Sequence, residues 1–270
     1  MKVYFLNLDR SQDRNRFMSN QLSELGLDAI RIPAVEGSTL SEEEYLKRNP
    51  TRNIVKVEVA CFLSHRKGWK QFIESNEPFA AFMEDDVHIS PNITHLLTNP
   101  KWMPNNADVI KFEIFKPKKL VVSREAISIF NNISIRRLHS EHLGAAGYIL
   151  TQSAAIKLFN WSEHFNAPVD HFLFDNKVGF FQQLNIYQTF PALAIQDLFI
   201  NQANIEKSLL NSPRMEFRQT NKNHLNLKTY PKLIRELLRI RTQIESGTSY
   251  LYHFATKQRI KIRPFFDGEM

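Results

Sequence analysis

One stretch of this chain, residues 78–89, constrains its fold more than any other. An apolar run from Phe79 to Met83 is followed by Glu84, Asp85 and Asp86, and apolar residues then alternate with polar ones. The run has the length of a buried strand, so the carboxylates stand at its C-terminal end. In open α/β sheets, ligands bind outside that end of the strands. Because adjacent carboxylates repel one another, the segment predicts either a divalent-cation site or a solvated acidic turn.

The order of apolar and polar segments predicts an α/β fold. A strand pattern at residues 2–8 is followed by a polar turn, a helical pattern that stops at Gly26, and a second strand pattern at 29–35. This is a βαβ unit, whose first loop is a natural place for a nucleotide. Further strand patterns lie at residues 108–112, 134–138, 147–150 and 187–197. Their alternation with helical segments favours a mostly parallel sheet flanked by helices.

Composition predicts a globular protein of a reducing compartment. The chain has 270 residues, of which 43% are hydrophobic, enough for a large core. Its single cysteine, Cys61, cannot form an intramolecular disulfide, and its apolar neighbours favour a buried structural thiol. The N-terminus lacks the pattern of a signal peptide, and no segment approaches the apolar length of a membrane span. We therefore expect a cytoplasmic protein.

Basic residues are concentrated near the C-terminus. The segment between Lys228 and Arg263 has a net charge of +7, which equals that of the whole chain. Within it, residues 232–244 have the pattern of a basic amphipathic helix, which would pack on the main domain or lie on an anionic membrane surface. The sequence thus predicts a domain at residues 1–205 and a basic, partly helical C-terminal extension at residues 206–270.

Several polar or small residues interrupt apolar patterns. Arg10 and Arg14 follow the first strand and would either reach phosphates or remain surface charges. Ser64 and His65 lie in an amphipathic helix, where a histidine is more often a structural group than a catalyst. Gly147 begins a strand pattern at a position where a small residue permits close approach of the backbone.

Six sequence blocks occur in order over about residues 1–200. They are Asn-Leu-Asp-Arg-Ser at 7–11 with Asp13 and Arg14, Ala-Val-Glu-Gly at 34–37, Cys-Phe-Leu-Ser-His at 61–65 with Trp69, Met-Glu-Asp-Asp-Val at 83–87, Gly-Tyr-Ile-Leu at 147–150, and Pro-Val-Asp at 168–170. In this order and spacing they resemble glycosyltransferase family 25. The resemblance points to the bacterial lipooligosaccharide galactosyl- and glucosyltransferases, which are similar to the collagen galactosyltransferase domain.

The resemblance implies a GT-A fold with a Rossmann-like sheet, a UDP-sugar donor, a divalent metal, usually Mn²⁺, and an inverted, β-configured product. The acceptor would be a saccharide of the lipopolysaccharide or lipooligosaccharide core, and the sugar galactose or glucose. Such chemistry suits an acidic strand end, because a metal held by carboxylates neutralises the charge that develops on the leaving UDP.

The family's motif positions carry over residue by residue. By resemblance, Asp86 would bind the metal, and Asp85 would share the metal or bind the ribose. The remaining residues along the nucleotide would be Asn7, Leu8, Arg14, Ala34, Glu36, Gly37, Ser64, His65 and Gly147. Glu36 stands where the family often has Asp, a departure at the expected ribose contact.

An inverting transfer also needs a base within hydrogen-bond reach of the acceptor hydroxyl. Asp170 is the candidate, and its alternative role is that of a helix N-cap, where Asp is favoured. Glu84 is the alternative base.

Two other functional classes compete with this interpretation. A metal-dependent nucleotidyl or phosphoryl transferase would also use an acidic strand end, but it would need a glycine-rich loop or a lysine that cradles phosphate, and the sequence has no such motif. A nucleic-acid-binding protein would explain the basic C-terminal segment. It would usually carry aromatic residues on a basic face across the fold, whereas the body of this chain is neutral.

Overall fold

The computed structural model describes residues 1–115, 118–177, 179–200 and 258–268, which form a mixed α/β architecture. The predicted domain boundary at residues 205–206 and the predicted amphipathic helix at residues 232–244 lie outside the described residues.

The described residues contain thirteen strands and seven α-helices, with two short 3-10 helices at Pro100–Trp102 and Phe181–Gln183. The strands are β1 (Lys2–Asn7), β2 (Ala29–Pro33), β3 (Phe79–Glu84), β4 (Val87–Ile89), β5 (Val109–Lys111), β6 (Glu113–Ile114), β7 (Leu120–Ser123), β8 (Ile127–Phe130), β9 (Ile133–Arg137), β10 (Gly147–Thr151), β11 (Ile186–Phe190), β12 (Ala194–Gln196) and β13 (Arg259–Ile262). The helices are α1 (Gln12–Glu24), α2 (Glu42–Arg48), α3 (Lys56–Glu74), α4 (Ile93–Thr98), α5 (Gln152–Trp161), α6 (Val169–Phe174) and α7 (Asp197–Ile200). None of these helices is both long and apolar enough to cross a membrane.

Local sequence explains where the first helices begin and end. Helix α1 ends just before Gly26, whose φ of +65° is a left-handed conformation that glycine adopts without strain. Helix α2 begins after Ser41, whose hydroxyl accepts a hydrogen bond from the backbone N–H of Glu44 at 3.1 Å. The end of α1 at Gly26 was predicted from the sequence.

Eight strands form the central sheet in the order β2-β1-β3-β10-β5-β11-β9-β8. Strand β1 pairs in parallel with β2 and β3, and β5 pairs in parallel with β11. Strands β10 and β9 run antiparallel to both of their neighbours. Six of the eight strands therefore point the same way, which confirms the predicted α/β class with a mostly parallel sheet.

Both faces of this sheet are covered, so the central strands are apolar on both sides. Tyr4 and Phe82 point into one core with Trp69 of α3, while Phe5 and Met83 point into a second core that includes residues of α1 and α4. Successive side chains along β1 and β3 thus point alternately into the two cores. Because a shift by one residue would exchange the two faces, this alternation fixes the register of the two strands and the positions at which they end.

Two smaller sheets extend the fold. One consists of β4, β12 and β6, and the other pairs β13 with β7. The segment at 187–197, predicted as one strand, is divided into β11 and β12, because β12 leaves the central sheet to pair with β4. Strand β13 brings residues 258–268 back onto the main fold, where Phe266 is buried.

Candidate active site

Three parallel strand ends meet at one edge of the central sheet. Strand β1 ends at Asn7, β2 at Pro33 and β3 at Glu84, and the register pairs Leu6 with Glu84 and Asn7 with Pro33. The segments that follow these ends therefore emerge side by side. This is the edge at which open α/β sheets bind ligands.

A cleft with about 730 Å³ of space opens at this edge. It lies between the strand ends and one face of α3. The predicted site residues that line it are Leu8, Arg14, Ala34, Glu36, Gly37, Ser64, His65, Glu84, Asp85 and Asp86. The fold thus brings together residues that lie up to 78 positions apart in the sequence.

Asp85 is held by two buried partners. Its Oδ2 accepts a hydrogen bond from Asn7 Nδ2 at 2.7 Å, and its Oδ1 accepts one from Arg14 Nη1 at 2.8 Å. Burial raises the pKa of Asp85, while Arg14 and Asn7 act in the opposite direction. Asn7 therefore belongs to the site through Asp85, although it does not line the cleft itself.

Asp86 has weaker partners. Its Oδ2 lies 3.7 Å from Arg14 Nη1, and its Oδ1 accepts a hydrogen bond from Gln196 Nε2 at 3.2 Å. Burial, followed by the charge of Glu84, raises the pKa of Asp86 to about 6. A buried carboxylate whose charged form is so disfavoured would be stabilised by a divalent cation, and oxygen ligands suit Mn²⁺. The residues therefore fit the expected metal.

Gln196 was not predicted as a site residue. It lies at the end of β12, lines the cleft, and its Nε2 also donates to Glu84 Oε2 at 3.2 Å. Only the pairing of β12 with β4 places Gln196 opposite Val87, beside the acidic residues. The sequence carries no signal for this contact.

The two arginines have different positions. Arg14 is buried beside Asp85, whereas the Arg10 side chain is exposed and pairs with Glu36 at 2.6 Å. Because exposed pairs are screened by water, the Arg10–Glu36 contact contributes little stability. Arg14 therefore lines the cleft, whereas Arg10 is not part of the lining and contacts it only through Glu36.

His65 is fully buried, and its ring is fixed by Tyr148. Trp69 Nε1 donates to the Tyr148 hydroxyl at 2.9 Å, and that hydroxyl lies 2.7 Å from His65 Nδ1. Since Trp69 donates to its oxygen, the Tyr148 hydroxyl can donate its own proton to Nδ1. His65 Nε2 then faces Glu84 Oε1 at 3.6 Å, beyond hydrogen-bond distance.

Ser64 connects α3 to the loop after β2. Its hydroxyl donates to the carbonyl of Ala60 at 2.8 Å and accepts from the backbone N–H of Val35 at 2.8 Å. Ser64 therefore positions the loop that carries Ala34, Glu36 and Gly37 at the cleft.

Asp170 and Gly147 lie outside the lining of the cleft. Asp170 is in the first turn of α6, whose N-cap is Pro168, so the alternative role of Asp170 as the N-cap is wrong. Its Oδ2 accepts a hydrogen bond from the backbone N–H of Gly144 at 3.3 Å. Gly147 is buried in β10, where a Cβ atom would lie 2.6 Å from Phe112 Cε2, so packing accounts for the glycine.

A buried ion pair, Lys111 with Glu113, was also missed by the sequence analysis. Their side chains are both fully buried, with Nζ and Oε1 2.6 Å apart, and Lys111 Nζ also donates to the carbonyl of Gly144. Burial lowers the pKa of Lys111 and raises that of Glu113 to about 7. The available signal for this pair was two charged residues, separated by Phe112, within an otherwise apolar segment.

Comparison with known proteins places these features in a family. A model described as glycosyltransferase family 25 (LPS biosynthesis protein) matches residues 1–173. The lacto-N-neotetraose biosynthesis glycosyltransferase LgtE of Neisseria meningitidis serogroup B is 28% identical over 63% of this chain and 63% of its own length. The lipooligosaccharide biosynthesis protein lex-1 of Haemophilus influenzae is 30% identical over 72% of this chain and 65% of its own length.

The LgtE protein of Neisseria gonorrhoeae is 29% identical over 83% of this chain and 84% of its own length. For the first two relatives, the matched part of the chain spans just under two thirds of the relative. The family match includes the ends of β1, β2 and β3 and the helix α3, which are the elements that build the cleft. This chain belongs to glycosyltransferase family 25.

Proposed function

We propose that this protein transfers galactose or glucose from a UDP-sugar to a saccharide of the lipopolysaccharide or lipooligosaccharide core, with a divalent metal such as Mn²⁺ and with inversion to a β-linkage. Family membership and the names of the relatives support the reaction class. The GT-A type, the donor, the metal and the stereochemistry belong to the proposal.

The observation that carries the proposal is the pair Asp85 and Asp86 at the end of β3, facing a cleft beside Arg14. The charge of Asp85 is paired with Arg14, and its second oxygen accepts a hydrogen bond from Asn7, so Asp85 organises the site. Asp86 has the more available carboxylate and would hold the metal. A bound Mn²⁺ would neutralise the charge that develops on the UDP leaving group.

The lining of the cleft suits a nucleotide sugar, because it combines apolar side chains with a few charged and polar ones. The loop at residues 34–37 and the face of α3 that carries Ser64 form one wall, and the acidic strand end forms the other. We place the nucleotide along the first wall and the diphosphate beside Asp86 and Arg14.

The base of the proposed reaction has two candidates, Glu84 and Asp170. Glu84 lines the cleft next to Asp86, whereas Asp170 lies outside the lining and accepts a hydrogen bond from Gly144. A base must come within about 3 Å of the hydroxyl that it deprotonates. The geometry therefore favours Glu84 over Asp170.

A membrane location is a further part of the proposal and rests on sequence alone. The basic residues between Lys228 and Arg263 would bring the enzyme to the anionic inner face of the cytoplasmic membrane, where a lipid-linked acceptor would be found. The predicted amphipathic helix in this segment lies outside the described residues.

Calorimetric titration of UDP tests the proposal. We expect the wild-type protein to bind UDP in the presence of Mn²⁺ and to bind little UDP with EDTA. Asp86→Asn should lose the Mn²⁺-dependent binding. A positive result leads to turnover assays that compare UDP-galactose with UDP-glucose on a lipooligosaccharide core acceptor. If the folded wild-type protein binds no UDP, either with metal or with EDTA, a UDP-dependent reaction is refuted.

A further inference from the structure

Three side chains with different ligand atoms converge at one point of the cleft, from its two opposite walls. Cys61 and His65 are four residues apart on α3 and therefore share one face of that helix, and Glu84 lies opposite at the end of β3. The Cys61 Sγ atom, a His65 ring nitrogen and a Glu84 carboxylate oxygen all lie within 4.8 Å of one another. All three residues line the cleft.

Cys61 is more accessible than its apolar neighbours suggested. It is only partly buried, and it is not part of a disulfide. The sequence predicted a buried structural thiol; Cys61 does pack against the hydrophobic core, but it is only partly buried and also lines the cleft. The thiol can therefore reach a ligand in the cleft.

His65 presents a buried nitrogen toward the same point. No described residue forms a hydrogen bond with His65 Nε2, although the side chain is fully buried. A buried polar atom left without a partner is costly. Its distance of 3.6 Å from Glu84 Oε1 is too long for a good hydrogen bond, but it is close to the separation of roughly 3.4 Å between two ligands of one tetrahedral zinc ion.

We propose that Cys61, His65 and Glu84 bind Zn²⁺, with the fourth coordination position open to the cleft. Thiolate and imidazole ligands select Zn²⁺ over Mn²⁺ or Mg²⁺, whereas Asp85 and Asp86 offer oxygen alone. The cleft thus contains two chemically different sites for cations. Binding requires the Cys61 thiolate and an unprotonated His65 Nε2. The thiol proton is released to solvent as the Zn–S bond forms, and the single proton of the neutral imidazole lies on Nδ1.

Residues behind His65 hold its ring for this role. The Tyr148 hydroxyl contacts Nδ1, and Trp69 donates to the same hydroxyl, so the ring is fixed with Nε2 toward Cys61 and Glu84. Zinc binding by Nε2 requires the ring proton on Nδ1, so the His65–Tyr148 hydrogen bond reverses and Nδ1 donates to the Tyr148 oxygen, as the second nitrogen of a metal-binding histidine usually does. The aromatic contacts of Tyr148 with Phe82 and Phe174 fix it in turn.

Zinc in this position would occupy Glu84, the favoured base of the proposed reaction, and would inhibit transfer. That consequence rests on the proposed function, but zinc binding itself does not. A binding assay without UDP or sugar therefore separates the two.

Cobalt substitution in the full-length protein is the first test, because Cys61 is the only cysteine of the chain. We expect Co²⁺ to give a thiolate charge-transfer band that Zn²⁺ abolishes by displacement. Cys61→Ser should remove the band and weaken Zn²⁺ binding by at least about 100-fold, since even residues behind a ligand cost 10–100-fold. Asp86→Asn is the matched control and should keep the band. Absence of the band in the wild-type protein, or its persistence in His65→Gln, would overturn the proposal.

Alkylation of Cys61 tests the same site without any substitution. We expect Zn²⁺ to slow the reaction of Cys61 with iodoacetamide at least about tenfold, as for a thiolate engaged by metal. Mn²⁺ at the same concentration should leave the rate unchanged. Equal rates with and without Zn²⁺ would refute zinc ligation by Cys61.

Discussion

Arg14 Nη1 donates a hydrogen bond to Asp85 Oδ1 at 2.8 Å and joins the start of α1 to the end of β3. Both side chains are about nine-tenths buried. The contact gives two adjacent carboxylates different roles, because Asp85 is engaged by Arg14 and Asn7 while Asp86 has longer contacts.

Substitution of the two aspartates should therefore have different effects. We expect Asp86→Asn to abolish Mn²⁺-dependent UDP binding with little loss of stability. Asp85→Asn should lower the free energy of unfolding by about 3 kcal/mol, because a buried charge pair is broken. Calorimetry and urea unfolding of both variants measure these effects. Equal destabilisation by the two substitutions would contradict the difference in their roles.

Without metal, Asp86 should make the stability of the protein depend on pH. Its pKa is raised from 3.8 to about 6 on folding, so the folded protein holds this proton more tightly. The proton on Asp86 therefore stabilises the folded state fully below pH 3.8, and this stabilisation is lost as the pH rises from 3.8 to about 6. The free energy of unfolding above pH 6 should be lower by up to about 3 kcal/mol than it would be with the proton bound.

The apo form of Asp86→Asn should therefore unfold at a higher temperature than the wild type at pH 7.5, and the gap should close toward pH 4. Melting in EDTA at several pH values provides the measurement. Asp28→Asn is the control, since Asp28 is exposed. A gap that is constant with pH would show that Asp86 is not the cause.

The pair Lys111 and Glu113 should show strong coupling in a double-mutant cycle. Lys111→Met or Glu113→Gln alone leaves a buried group without its partner, at a cost of about 3–5 kcal/mol each. The double variant should cost clearly less than the two single costs together, as judged by urea unfolding. Additive costs would mean that the 2.6 Å contact is not an important interaction.

The two candidate bases can be separated by kinetics. Glu84→Gln should lower kcat by about 10²–10⁴-fold, the usual contribution of a general base, and leave UDP binding in place. Asp170→Asn should have a much smaller effect on kcat, because Asp170 lies outside the lining of the cleft. A larger loss of kcat in Asp170→Asn would reverse the assignment.

Gly147 should matter for packing and not for the nucleotide. In Gly147→Ala the added Cβ would lie 2.6 Å from Phe112 Cε2, and overpacking of this kind costs about 1–3 kcal/mol. We expect a lower free energy of unfolding and an unchanged Kd for UDP while the protein is folded. Weaker UDP binding at unchanged stability would restore Gly147 to the nucleotide-binding residues.

Much of the site was predictable because it lies on local patterns. The apolar run before Glu84, the turn after β1 and the stop at Gly26 are set by neighbouring residues, and each can be read from a short window. Arg14 could not be distinguished from Arg10 in this way, since both follow the same strand. Their difference is burial, and burial depends on the distant residue Asp85.

The sequence by itself determined the α/β class, the acidic strand end and the family, because each depends on residue order and periodicity. Only the tertiary structure decided that Gln196 reaches the acidic residues, that Lys111 pairs with Glu113 out of water, and that His65 faces Cys61 and Glu84. The physical reason is that strand pairing and burial are long-range properties. The pairing of β12 with β4 and the contact between His65 and Tyr148 each bring together residues that are 83 or more positions apart in the sequence. No local pattern specifies such contacts.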